Sequence, residues 1–123
     1  MLMEIDPERS LVSIEEVRRF HAALTPDQKE DVFDYLKVMG YDRRDYADAV
    51  ELPENGGRAL VDGRILAGET LLEPGVRLGR LKDFLYRMQI ERAITDSNEV
   101  LALISEIDWE NGDPSSWPKM VWP

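Results

Sequence analysis

A chain of 123 residues, 43% of them hydrophobic, can bury one core, and without cysteine it holds no disulfide, thiolate metal site or cysteine nucleophile. Fifteen basic against 25 acidic side chains give a net charge of −10, which opposes nonspecific binding to nucleic acid or anionic membranes. No apolar run approaches the roughly 18 residues of a membrane span, and the N-terminus is acidic rather than basic-then-apolar, so a cytoplasmic protein with no membrane partner is expected.

The first ten residues lack periodicity and read as an arm. Ser13-Ile14-Glu15-Glu16 fits a capping box, in which the serine hydroxyl and Glu16 satisfy each other's backbone donors. Ile14, Val17, Phe20 and Leu24 then recur at helical spacing and predict a helix over 14–24. Thr25-Pro26-Asp27-Gln28 is a second start, with threonine at N-cap, proline at N1 and glutamine at N3. It predicts a helix over 26–39 that buries Val32, Phe33, Leu36 and Met39 and stops at Gly40. The two together form a helical hairpin. Residues 43–51 read as one short helix with Tyr46, Ala47 and Val50 inward. Residues 52–57, Leu-Pro-Glu-Asn-Gly-Gly, are the strongest break in the chain and read as a hinge.

After the hinge, Asp62 can cap a short helix through Ala67, which Gly68 would end. A longer helix follows from Pro74 to about Arg92, with Leu78, Leu81, Leu85 and Met88 as its apolar stripe, widened by Phe84. Asp96 or Ser97 caps the last helix, which turns Val100, Leu101, Ile104 and Ile107 inward. Asn111-Gly112-Asp113-Pro114 then breaks the chain before a tail holding Trp117 and Trp122 among prolines. With no repeat and no hairpin signal for strands, the expected fold is all-α: one domain over 1–123 with about five or six helices. Its subregions are an N-terminal hairpin at 11–52 and a helical unit with an extended aromatic tail at 58–123.

Charge is unevenly placed. Residues 58–92 carry seven basic and five acidic side chains, the one locally basic stretch of the chain. The same stretch contains Val61-Asp62-Gly63-Arg64-Ile65-Leu66, then Pro74-Gly75, then Leu78-Gly79-Arg80-Leu81 with Leu85, and an acidic start to the final helix at 96–99. This order resembles the C-terminal body and tail of the bacterial-type (class II) tRNA nucleotidyltransferases and poly(A) polymerases. The resemblance implies an all-helical region that holds structured RNA such as tRNA while a separate head adds nucleotides. That head is missing. Its Gly-Gly pair should be followed closely by Arg-Asp and then by an Asp-x-Asp that holds two magnesium ions. Here Gly56-Gly57 leads into Arg58-Ala59, and no Asp-x-Asp occurs in the chain. Nucleotide addition is therefore excluded for these 123 residues, and neither catalytic residue nor cofactor nor metal is expected.

Two readings of the surface stay open. Arg77, Arg80, Phe84 and Arg87 fall on one flank of the long helix, and with Arg64 and the turn at Gly75 they could line a strip along an RNA backbone. The plainer reading, and the favoured one for these arginines, is an ordinary solvated helix face, with Gly79 there to let another helix approach. Trp117 and Trp122 divide similarly: a tail that wraps its own core, or a strap that docks a partner or a second copy. His21, the single histidine, and the carboxylates Asp42, Asp45 and Asp48 read as structural and solvated rather than catalytic or metal-binding. The expected function is a non-catalytic RNA-binding module; the alternative is a protein-interaction or assembly module without RNA binding.

Overall fold

The computed structural model describes residues 5–53 and 58–123. The described residues are all-helical, with six α-helices: α1 (Ile14–Ala23), α2 (Pro26–Val38), α3 (Arg44–Asp48), α4 (Gly63–Thr70), α5 (Val76–Glu91) and α6 (Ser97–Ala102). Short 3-10 helices follow at Leu103–Glu106 and Pro114–Ser116, and the described residues contain no strand. None of the described helices is long and apolar enough to cross a membrane. The chain divides into two compact units: Met1–Leu52 together with Val121–Pro123, and Pro53–Met120. The expected hinge lies, from 54 to 57, outside the described residues, as does the start of the arm at 1–4.

The first unit is built from local start signals. Thr25 Oγ1 accepts from the Gln28 amide, and the Gln28 side chain accepts from the Thr25 amide, a complete capping box over Pro26. Gly40, at φ 93°, ends α2 in the left-handed region that glycine enters without steric cost. The Ser13 box is only half made. Its hydroxyl accepts from the Glu16 amide, but the Glu16 carboxylate turns to the amides of Leu11 and Val12 and to the indole N–H of Trp122, at 2.7, 3.3 and 2.8 Å.

The core of this unit comprises Ile5, Leu11, Val17, Phe20, Val32, Phe33, Leu36, Ala47 and Trp122, of which Leu11 and Trp122 are the two bonded to that carboxylate. The Phe20 ring meets Phe33 and Trp122 edge-on at 5.3 and 5.0 Å between centroids, the offset that ring quadrupoles favour. Three expectations fail here, the first at Tyr46, which reads as inward and is 41% exposed on α3. Ile5 and Ser10 are buried while Asp6, Glu8 and Arg9 stay exposed, so the described part of the arm is anchored at two points rather than free. Met39, read as inward, is half exposed because it has become the C-cap of α2.

In the second unit α5 is the central element, packed by α4, α6 and both 3-10 helices. Leu78, Leu81, Phe84, Leu85 and Met88 bury against Val61, Leu66, Val100, Leu103 and Trp117. A buried polar residue lies in the same stripe. Gln89 is 1% exposed, donates from Nε2 to the Arg58 carbonyl at 2.6 Å and accepts the Leu60 amide at 2.9 Å. It thereby pins the segment that leads into α4, whose N-cap Asp62 accepts the Ile65 amide. Gly68 does not end α4. The helix runs one turn further, until Thr70 Oγ1 donates back to the Leu66 carbonyl and Leu71 turns left-handed at φ 61°. At the far end of α5, Arg92 makes a two-pronged bond to Glu106 at 2.8 and 3.0 Å.

Candidate functional site

The basic flank of α5 is the surface that the sequence singles out, and its geometry follows from helical spacing. Residues 77, 80, 83 and 87 succeed one another along one side of α5, next to the buried stripe. The structure brings these side chains to the residues that follow α6 rather than to open solvent. Arg77 donates to the Trp109 carbonyl at 2.9 Å, and its guanidinium stands 5.6 Å from the centre of the Trp117 ring. Arg80 donates to the carbonyl of Trp117 at 2.8 Å and reaches that of Ser115 at 3.5 Å.

Asp83 accepts the Met120 amide at 3.0 Å. Arg87 divides between Glu91, at 2.9 Å, and the Lys119 carbonyl, at 3.0 Å. The flank is thus a rack of charged side chains that satisfies the main chain of 109–120. Beyond the 3-10 turn at Pro114–Ser116, carbonyls of an irregular segment need such partners when it lies against a core.

The other named residues part company with this group. Phe84, counted on the flank from its spacing, is 4% exposed and belongs to the core. Arg64 is exposed on α4 and borders a shallow apolar groove of about 390 Å³ with Gly63, Ala67, Pro74 and Leu78. Gly75 is the N-cap of α5 and offers no side-chain cap. Trp117 and Trp122 are 6% and 9% exposed and sit in the cores of the second and the first unit respectively. Both rings are therefore occupied within the chain. His21 is engaged at both nitrogens. Nε2 lies 2.8 Å from the Ala47 carbonyl and must carry the proton, which leaves Nδ1 to accept from the Lys29 ammonium at 3.3 Å. Among the described residues no group of three or more histidine, aspartate or glutamate side chains is placed to hold a metal ion.

Sequence reasoning missed Asp83, Gln89 and the long-range role of Glu16. Gln89 had a readable signal, because it stands four residues after Leu85, at a core position of the α5 stripe. Asp83 and Glu16 had none, since their partners lie 37 and 106 residues away.

One further groove adjoins the flank. Arg58, Ala59, Gly79, Lys82, Asp83 and Tyr86 enclose about 350 Å³, and burial raises the Tyr86 hydroxyl above its usual pKa. Gly79 is part of its lining, and a Cβ built there would meet nothing within 4 Å. Gly79 therefore does not serve a close helix approach inside the described residues. No protein-family model, no curated protein and no solved structure matches this chain.

Proposed function

We propose that this chain is a non-catalytic helical module that works by docking another protein. The observation that carries the reading is the state of the α5 arginines. Arg77, Arg80 and Arg87 each donate to a main-chain carbonyl of 109–119, so these side chains are held against the chain's own backbone and part of the donor capacity expected of the basic flank is used there. The charge of −10 points the same way, because RNA affinity rests on cations left available for phosphates. Two large aliphatic side chains also stand in solvent on either side of the α4–α5 connection, Leu71 at 87% and Val76 at 78% exposure. Contiguous exposed aliphatic surface marks protein contact, and these two side chains flank one connection.

A second reading, RNA contact in the manner of the nucleotidyltransferase tail that the sequence resembles, is favoured by one observation. Arg64 remains exposed beside Pro74 and Leu78 at the start of α5.

Retention of tRNA on the immobilised protein at about 50 mM salt separates the two, since electrostatic binding is strongest there. The protein-docking reading expects no retention. It also expects Arg77→Glu combined with Arg80→Glu to lower stability, by about 1–3 kcal/mol for each carbonyl left without its donor. Retention that falls steeply with salt and disappears in Arg64→Glu would establish the RNA reading in its place.

A further inference from the structure

The first unit is completed by residues remote from it in sequence. Val121–Pro123 pack with Met1–Leu52, and all of Pro53–Met120, which lies between them in the chain, forms the second unit. The fastening changes at the same place. Arg80, Arg87 and Asp83 hold the Trp117 carbonyl, the Lys119 carbonyl and the Met120 amide within the second unit. Val121 and Trp122 bond instead to α1.

α1 holds this segment as a domain holds a peptide. Glu16, Arg19 and Phe20 stand at i, i+3 and i+4 and so share one face of the helix. The Arg19 guanidinium donates to the Val121 carbonyl at 3.1 Å, a main-chain contact open to any residue type. The Glu16 carboxylate accepts the indole N–H of Trp122 at 2.8 Å, a charge-assisted bond that phenylalanine could not make. The Phe20 ring completes the site, edge-on to the indole. Glu16 is positioned independently of the segment, because it also accepts the amides of Leu11 and Val12 from its own stretch of chain. Phe20 is 0% exposed, so an emptied site would turn an aromatic core residue to water.

We infer that Val121–Pro123 is an exchangeable element: the α1 face of one copy takes the Val-Trp-Pro segment of a second copy and gives its own in return. The occupant is identified by what the site already holds. Every copy carries the same segment, and a reciprocal pair remakes each of the three contacts without any new surface. A single opened chain leaves Phe20 uncovered, whereas the pair does not. The outcome then turns on protein concentration against the effective concentration set by chain connection, on the order of millimolar for a flexible link. Such exchange goes beyond the protein-docking reading and holds or fails independently of it.

Two variants separate the halves of the contact. Trp122→Ala keeps the site and loses the segment, whereas Glu16→Ala keeps the segment and damages the site. Each alone at about 1 mM should sediment as single chains, and their mixture should form one-to-one pairs. The native chain at that concentration should pair with itself. In a mixture of differently isotope-labelled native chains, NOEs should join the Trp122 indole of one copy to the Phe20 ring of the other, a readout that needs no variant to fold. A peptide with the sequence of residues 117–123 should raise the melting temperature of Trp122→Ala. Its counterpart with phenylalanine in place of the second tryptophan should bind about tenfold more weakly.

A native chain that stays single at about 1 mM, with no NOE between copies, would overturn the exchange. Pairs that persist in Trp122→Ala alone would overturn it too, because they would rest on another surface. Equal binding of the two peptides would overturn the site, since Glu16 would then not be reading the indole.

Discussion

Glu106 and Arg92 form a two-pronged contact at 2.8 and 3.0 Å, fastening the end of α5 to the 3-10 helix at Leu103–Glu106. The hydrogen bonds from Arg92, helped by its charge, hold the Glu106 carboxyl below its ordinary value of 4.5. Glu30 is lowered in the same way by Arg44, whose guanidinium also covers the Phe33 ring at 4.5 Å. A depressed carboxylate contributes stability above its unfolded pKa and loses it as pH falls through the folded value. Glu106→Gln should therefore melt below the native chain at pH 7, and the gap should close as pH falls below about 4.5, the unfolded value. Melting curves across that range check it, and a gap that persists at low pH would show that the charged form contributes nothing. Neither pair was legible in sequence, because 14 residues separate the partners in each and helical spacing relates neighbours only three or four apart.

Start signals were more legible than stops at the level of single elements. The caps at Ser13, Thr25, Asp62 and Asp96 lie where their residue types place them, since each bonds an amide two or three positions ahead. The Gly40 stop is also local. α4 went differently because its end is decided by burial. Leu66 and Thr70 sit on one face, at 0% and 7% exposure, and that anchoring carries the helix past Gly68. The consequence is a leucine in the left-handed region, Leu71, with its side chain in solvent. That conformation costs a branched residue roughly 1–2 kcal/mol and glycine nothing comparable. Leu71→Gly should therefore stabilise the chain by about 0.5–1 kcal/mol in urea unfolding, after allowance for glycine's greater freedom when unfolded. A neutral or destabilising result would mean that the left-handed residue carries no strain.

On the scale of the whole molecule the last eleven residues do the most, since they serve both units. Trp117 completes the core around α5, whereas Trp122 belongs to the unit made by the beginning of the chain. Truncating a buried tryptophan costs about 3–5 kcal/mol. Trp117→Ala should loosen the α4–α6 amides first, and Trp122→Ala those of α1 and α2, as read by hydrogen exchange. Equal loss of protection throughout the chain in both variants would mean that the two units open as one. The sequence by itself determined that the protein is all-helical, where most of its helices begin, and which face of α5 is buried. These follow from hydrogen bonds and side-chain spacing within a few residues of each start. Only the tertiary structure decided what the charged flank of α5 holds, where the tryptophans lie and what Glu16 binds. Those contacts join residues 32 to 106 positions apart, and which pairs meet depends on how buried main-chain groups find donors and acceptors, a matter that no local pattern encodes.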